Sequence, residues 1–122
     1  MVELYYYKGL LFCELDCKLN NNCMHLNRVL IDTGSATTLI NADHILLDGS
    51  EIRNMAYGVG GYEEILTKQF ETFEINNSRI NNIDISIGDM DYGIDIDLLI
   101  GLDVLKALNA NINIKEMTLS FN

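Results

Sequence analysis

Asp32 stands at the end of an apolar run, Val29-Leu30-Ile31, and is followed at once by Thr33, Gly34 and Ser35. A carboxylate at the end of a buried run is costly unless it is hydrogen-bonded, neutralised or put to use. Three uses are open to it: a turn or cap, a metal ligand, or catalysis. A metal site needs three or four convergent ligands, and the two histidines, His25 and His44, form neither an HxxxH nor an HxH spacing. No metal and no cofactor is expected. A Ser-His-Asp hydrolase would use Ser35, but Ser35 lacks the GxSxG elbow that lifts a nucleophilic hydroxyl clear of its sheet. Catalysis by Asp32 itself suits its neighbours better. Gly34 carries no side chain, so other backbone can approach closely and its N–H can turn toward the carboxylate. Thr33 and Ser35 supply hydroxyls that orient or bridge, and a carboxylate held this way can act as a general base on water.

The elements that must position these residues read as strands. Leu11 to Leu19 and Met24 to Ile31 alternate apolar and polar residues around Asn20-Asn21-Asn22, and Asn tolerates the positive φ of a tight turn. After Leu39-Ile40, Asn41 or Asp43 can cap one short helical turn before Asp48-Gly49 breaks it. Residues Ile52 to Phe73 predict a second hairpin with Gly58, Gly60 and Gly61 at its tip, and Ile83-x-Ile85-x-Ile87 predicts another strand. Ile94, Ile96 and Leu98 repeat that alternation. Only GLDVLKALNA departs from it: Val104, Leu105 and Leu108 recur at helical spacing, with Asp103 as a cap or first-turn acid. The end returns to strand around a turn at Lys115-Glu116, and the alternation Met117, Leu119, Phe121 reads as an interface or edge strand. Seven or more short strands with one helix make an all-β domain. Absence of proline, of a linker and of an internal repeat predicts one domain over residues 1–122.

Composition narrows the partners. Eighteen acids against eight bases give a formal charge of −10, which repels nucleic-acid phosphates and anionic lipid, so neither nucleic acid nor membrane is an expected partner. Bulk acidity favours basic peptides or serves solubility. No apolar run approaches the roughly 18 residues needed to cross a bilayer, and the start MVELYYYKG lacks the pattern of a secretory signal, so a cytoplasmic protein is expected. Cys13, Cys17 and Cys23 form no CxxC pair and read as small buried hydrophobes in a reducing compartment. Tyr5-Tyr6-Tyr7 reads as cover for a core edge.

The tetrapeptide DTGS, Asp32 to Ser35, preceded by Val-Leu-Ile and followed by Ala-Thr-Thr-Leu-Ile, resembles the active-site segment of the aspartic peptidases, the pepsin and retropepsin group. Two further segments match in order and spacing. YGVGGY, comprising Tyr57, Gly58, Val59, Gly60, Gly61 and Tyr62, lies where the family carries a flap hairpin, and LLIGLDVL (98–105) resembles its second apolar-apolar-Gly segment, here Leu99-Ile100-Gly101, leading into the family's helix. Together they span Leu11 to Phe121. The resemblance implies a retropepsin-like acid-protease β-barrel with a flap hairpin and one short C-terminal helix. It also implies roles: Asp32 is the catalytic acid, Thr33 bonds across a dimer, Ser35 hydrogen-bonds an outer oxygen of Asp32, and Gly34 offers backbone to the pair or substrate. The flap would fold over an extended peptide, with Tyr57 or Tyr62 packing on side-chain pockets, and Gly101 would allow a tight crossing beside the active-site strand.

Pepsin-like members carry two such motifs in one longer chain; retropepsin-like members carry one and pair two chains. This chain carries one. Amide hydrolysis needs a base for water and an acid for the carbonyl oxygen, and two adjacent carboxylates sharing a proton supply both. The expectation is therefore a homodimeric aspartic endopeptidase with Asp32 and its mate on the two-fold axis. The alternative is a non-catalytic peptide-binding or scaffold module on the same fold, or a regulatory domain of a longer protein. Retroviral members follow DTG with Ala-Asp, whereas here Ser35-Ala36 stands, and the N-terminal stretch through Tyr7 exceeds the viral minimum, so dimer contacts built from chain ends would differ.

Overall fold

Alternating apolar residues build most of the chain into strands, which account for 62% of it against 8% helix, so the fold class is all-β. The computed structural model describes residues 1–58, 61–88, 90 and 93–121. In chain order the strands are β1 (Val2–Glu3), β2 (Tyr5–Tyr7), β3 (Leu10–Leu19), β4 (Asn22–Ile31) and β5 (Leu39–Asn41). A 3-10 turn (Ala42–His44) follows, then β6 (Ile52–Gly58), β7 (Gly61–Ile75), β8 (Ser78–Gly88) and β9 (Leu98–Ile100). Helix α1 (Leu102–Ala107), β10 (Ala110–Asn113) and β11 (Thr118–Phe121) complete it. The expected turns are where the chain can make them: Asn20 sits at φ 52 between β3 and β4, and the Asn41 side chain accepts from Asp43 N to start the 3-10 turn.

One sheet of eight strands runs β2-β3-β4-β9-β5-β8-β7-β6, and β3 pairs a second time, with β7. In its middle, β9 lies between β4 and β5, parallel to the first and antiparallel to the second. Where these strands meet, Val29-Leu30-Ile31 at the end of β4, Leu39-Ile40 of β5 and all of β9 are buried on both faces, which explains why these short stretches read as unbroken apolar runs rather than alternations. Val29, Ile31, Ile40, Leu98 and Ile100 face the larger core with Phe70, Phe73 and Val104, while Leu30, Leu39 and Leu99 face a smaller cluster with Phe12, Met90 and Ile96.

Three expectations are corrected. The Ile94-Ile96-Leu98 alternation becomes a strand only from Leu98 to Ile100. Backbone groups just before it are drawn elsewhere: Asn41 Nδ2 donates to Ile96 O at 3.0 Å, and Asp97 N to Arg28 O at 2.9 Å. The terminal strand β11 is not an edge but the middle of a three-stranded sheet, β1-β11-β10, with Leu119 fully buried because it is covered from both sides. Cys13 and Cys17 lie inside the core on β3, but Cys23 points to solvent beside the β3–β4 turn.

Candidate active site

Asp32 leaves β4 while still on the ladder, its N–H donating to Ile100 O at 3.0 Å. The chain then turns: Ser35 N donates to Asp32 O at 3.2 Å, and Gly34 N donates to Asp32 Oδ1 at 2.9 Å. The carboxylate is thereby fixed by its own loop, half-buried at the end of a strand. Thr33 and Gly34 are exposed beside it. Ser35 departs from its expected role. Its hydroxyl donates to Thr37 O at 2.7 Å rather than to Asp32, because the loop folds back on itself and presents that carbonyl two residues on. Thr37 Oγ1 is buried without a hydrogen-bond partner among the described residues.

Loop 32–38 leaves β4 on one side of β9 and enters β5 on the other, so it must pass over the end of β9, and Gly101 marks that crossing. A Cβ there would lie 2.5 Å from Thr37 O and 2.8 Å from Ser35 O, inside van der Waals contact with backbone that cannot yield cheaply. Leu102 N donates to Ser35 O at 2.8 Å, joining the loop to the first residue of α1.

Sequence reasoning missed the second tie. Thr38 is fully buried, and every polar group it has is used: its N–H donates to Asp103 Oδ2 at 3.0 Å, its hydroxyl to Asp103 Oδ1 at 2.7 Å, and its carbonyl accepts from Ser86 N at 3.0 Å. The same hydroxyl oxygen accepts from Gly101 N at 3.1 Å. Asp103 Oδ1 also accepts from Val104 N at 2.7 Å, so of its two expected roles the acid takes that of a first-turn acid, while the N-cap position belongs to Gly101, which makes no side-chain cap bond. What the one-dimensional pattern concealed is that the same carboxylate holds a threonine 65 residues away.

The flap segment is a hairpin in which Tyr57 pairs with Tyr62 and Gly58 with Gly61; Val59 and Gly60 lie outside the described residues. Lys68 on β7 anchors the loop before the hairpin, donating to Asp48 at 2.9 Å and lying 3.7 Å from Glu51. Hydrogen bonds from Ser50, then the Lys68 ammonium, hold the Asp48 carboxyl well below the usual carboxylate range. Neither histidine approaches Ser35 as a hydrogen-bond partner. His44 Nε2 meets Asp97 Oδ1 at 2.9 Å, and His25 lies between Asp16 at 2.7 Å and Glu14 at 3.3 Å, which raise its pKa in that order. A surface depression of about 480 Å³ lies beside His25, lined by Cys23, Met24 and Glu74 among others, far along the sheet from Asp32. Burial pushes the Cys13 and Cys17 thiols up to about 12, so neither is a nucleophile at neutral pH.

No protein-family model matches the chain, and no curated protein matches it. Among the described residues no helix is long and apolar enough to cross a membrane.

Proposed function

We propose that the chain is an aspartic endopeptidase of the retropepsin type, acting as a two-fold homodimer in which two Asp32 carboxylates activate one water. The observation that carries this reading is the crossing at the site. An Asp-Thr-Gly-Ser loop ends one strand, passes over the neighbouring apolar-apolar-Gly strand, and is tied to the helix behind it through Ser35, Thr38, Gly101 and Asp103. Such a frame serves to hold one carboxylate rigidly at a surface. The second pairing of β3, with β7, joins the ends of the run β3-β4-β9-β5-β8-β7 and supports a barrel, and the hairpin β6–β7 has the length and glycine content of a flap.

In the dimer one Asp32 is ionised and its mate protonated. The ionised acid takes a proton from water as the oxygen attacks the scissile carbonyl, and the protonated acid gives its proton to the carbonyl oxygen. The tetrahedral diol collapses when a hydroxyl proton returns to one carboxylate and the leaving nitrogen takes a proton from the other. No bond forms between enzyme and substrate, so serine and thiol reagents leave the reaction untouched. Gly34 N–H keeps Asp32 oriented throughout. Peptide or protein is the substrate, held extended under the flap by backbone pairing.

The test is Asp32→Asn assayed against a random peptide library from acid to neutral pH, alongside equilibrium sedimentation of both proteins. Cleavage by the native chain, lost in the variant with the fold retained, supports the reading; cleavage unchanged in the variant removes it.

A further inference from the structure

The turn between β2 and β3 is made by Lys8 and Gly9, both at positive φ, 50 and 81. That conformation matches the twist of a tight hairpin and carries the Lys8 ammonium back over β2, 5.6 Å from the centroid of Tyr7. From β4 the Arg28 guanidinium reaches the same ring at 5.1 Å. Tyr7 in turn meets Phe12 edge-on at 6.2 Å and Tyr5 stacks on Phe12 at 5.8 Å, so the aromatic platform is braced from below, while Tyr6 beside it is 71% exposed. Two cations therefore converge on one tyrosine at the open edge of the large sheet. Neither forms an ion pair among the described residues, which they share with Lys18, Lys106 and Lys115; what sets Lys8 and Arg28 apart is that both lie over one ring. The nearby Asp97 carboxylate is committed to the Arg28 backbone N–H and to His44. In a chain with eighteen acids and eight bases, this is a place where two cations meet over one ring.

Its relation to Asp32 gives it a use. Phe12 pairs with Leu30, and both face the smaller apolar cluster. Alternation along β4 puts Asp32 on the face of Leu30, and Asp32 still bonds to the ladder through Ile100. Arg28 is four residues before Asp32, a distance of about 13 Å at the strand rise of ~3.3 Å per residue. An extended peptide covers that span in about four residues of its own.

We propose that Tyr7, Lys8 and Arg28 form a charge-selective subsite that takes an acidic side chain about four residues from the bond cut at Asp32. This rests on the peptidase reading and names its substrate class: extended peptides with Glu or Asp flanking the cleavage site. A two-fold dimer carries one such corner on each side, so the acid is accepted on either flank. The proposal runs against the bulk charge, because a net −10 attracts basic peptides at long range. At contact, inside a Debye length of ~8 Å at physiological ionic strength, the local pair of cations decides.

The experiment compares two peptides identical except for Glu or Lys at the fourth position on either side of a bond the protein cuts. Cleavage is read as kcat/KM with native protein, and binding by fluorescence anisotropy with Asp32→Asn protein. The Glu peptide is expected to be favoured about three- to tenfold at low salt, an advantage typical of two partly solvated charge pairs, and to lose it at high salt. Lys8→Gln/Arg28→Gln abolishes the preference and Lys8→Glu/Arg28→Glu reverses it, with far-UV circular dichroism confirming the fold. Equal handling of the two peptides, or preference for Lys by the native chain, overturns the subsite. If the native chain cuts no peptide, the peptidase reading fails, and anisotropy with one Glu-rich and one Lys-rich extended peptide still decides the corner by the same criterion.

Discussion

Asp103→Asn is nearly isosteric, yet it strikes the tie that closes the Asp32 loop. The native carboxylate accepts three hydrogen bonds and donates none: Thr38 N at 3.0 Å, Thr38 Oγ1 at 2.7 Å and Val104 N at 2.7 Å. An Asn amide has one acceptor oxygen and one donor NH2. Placed with its oxygen toward Thr38 Oγ1 and Val104, it points NH2 at the Thr38 N–H; flipped, it points NH2 at the Val104 N–H. Either way a donor faces a donor, and the fully buried Thr38 has no water to turn to. Hydrogen bonds to a charged group contribute about 1.5–3 kcal/mol each, and stranding one buried donor costs about 1–3 kcal/mol. Because Asp103 is itself half-buried, part of that loss is recovered by solvent, and the net destabilisation is about 2–3 kcal/mol. For a chain of this size that lowers Tm by roughly 6–15 °C. Urea denaturation followed by far-UV circular dichroism measures it directly. A change below about 0.5 kcal/mol with an unchanged m-value would refute the claim that this carboxylate fastens the loop to the helix.

Gly101→Ala meets the carbonyl oxygens of Thr37 and Ser35 at 2.5 and 2.8 Å, so it should cost about 3 kcal/mol or more by the same denaturation assay, whereas Gly49→Ala in an open loop should cost far less through its φ of 88 alone. His25 should titrate by NMR above the ordinary value of 6.5, and Asp16→Asn should bring it down because that acid makes the shorter contact. A raised folded pKa means that the small stabilisation from this exposed cluster is complete below the unfolded value and disappears as pH rises through the folded midpoint; a titration at or below the ordinary value would contradict the contacts. With a thiol reagent at neutral pH, Cys23 should be labelled in the native protein, while Cys13 and Cys17 react only on unfolding, as mass spectrometry of the modified peptides would show.

Many strands were legible along the chain, though not their order in the sheet, because period-two alternation on β3, β4 and β8 reports half-buried strands, and because Asn20, Gly58 and Gly61 mark tight turns locally. The helix was legible from Val104, Leu105 and Leu108 for the same reason, one face being buried. Long-range partners were not. Nothing within ten residues of Thr38 announces Asp103, and nothing near Ser35 says that its hydroxyl turns to Thr37 rather than to Asp32. Ile94 and Ile96 misled because alternation reports which residues are buried, whereas a strand also needs a free ladder, and there the Asn41 side chain and Arg28 take the backbone groups first. Cys23 misled because a small apolar-looking side chain next to a turn can face water at little cost.

Subunit mixing tests the central claim most directly. Native and Asp32→Asn chains are unfolded together, refolded at constant total concentration across a range of ratios, and assayed on a peptide the native chain cuts. If each active centre needs one Asp32 from each of two chains, activity falls as the square of the native fraction. A linear fall, or a site that works in chains sedimenting as monomers, would contradict the account.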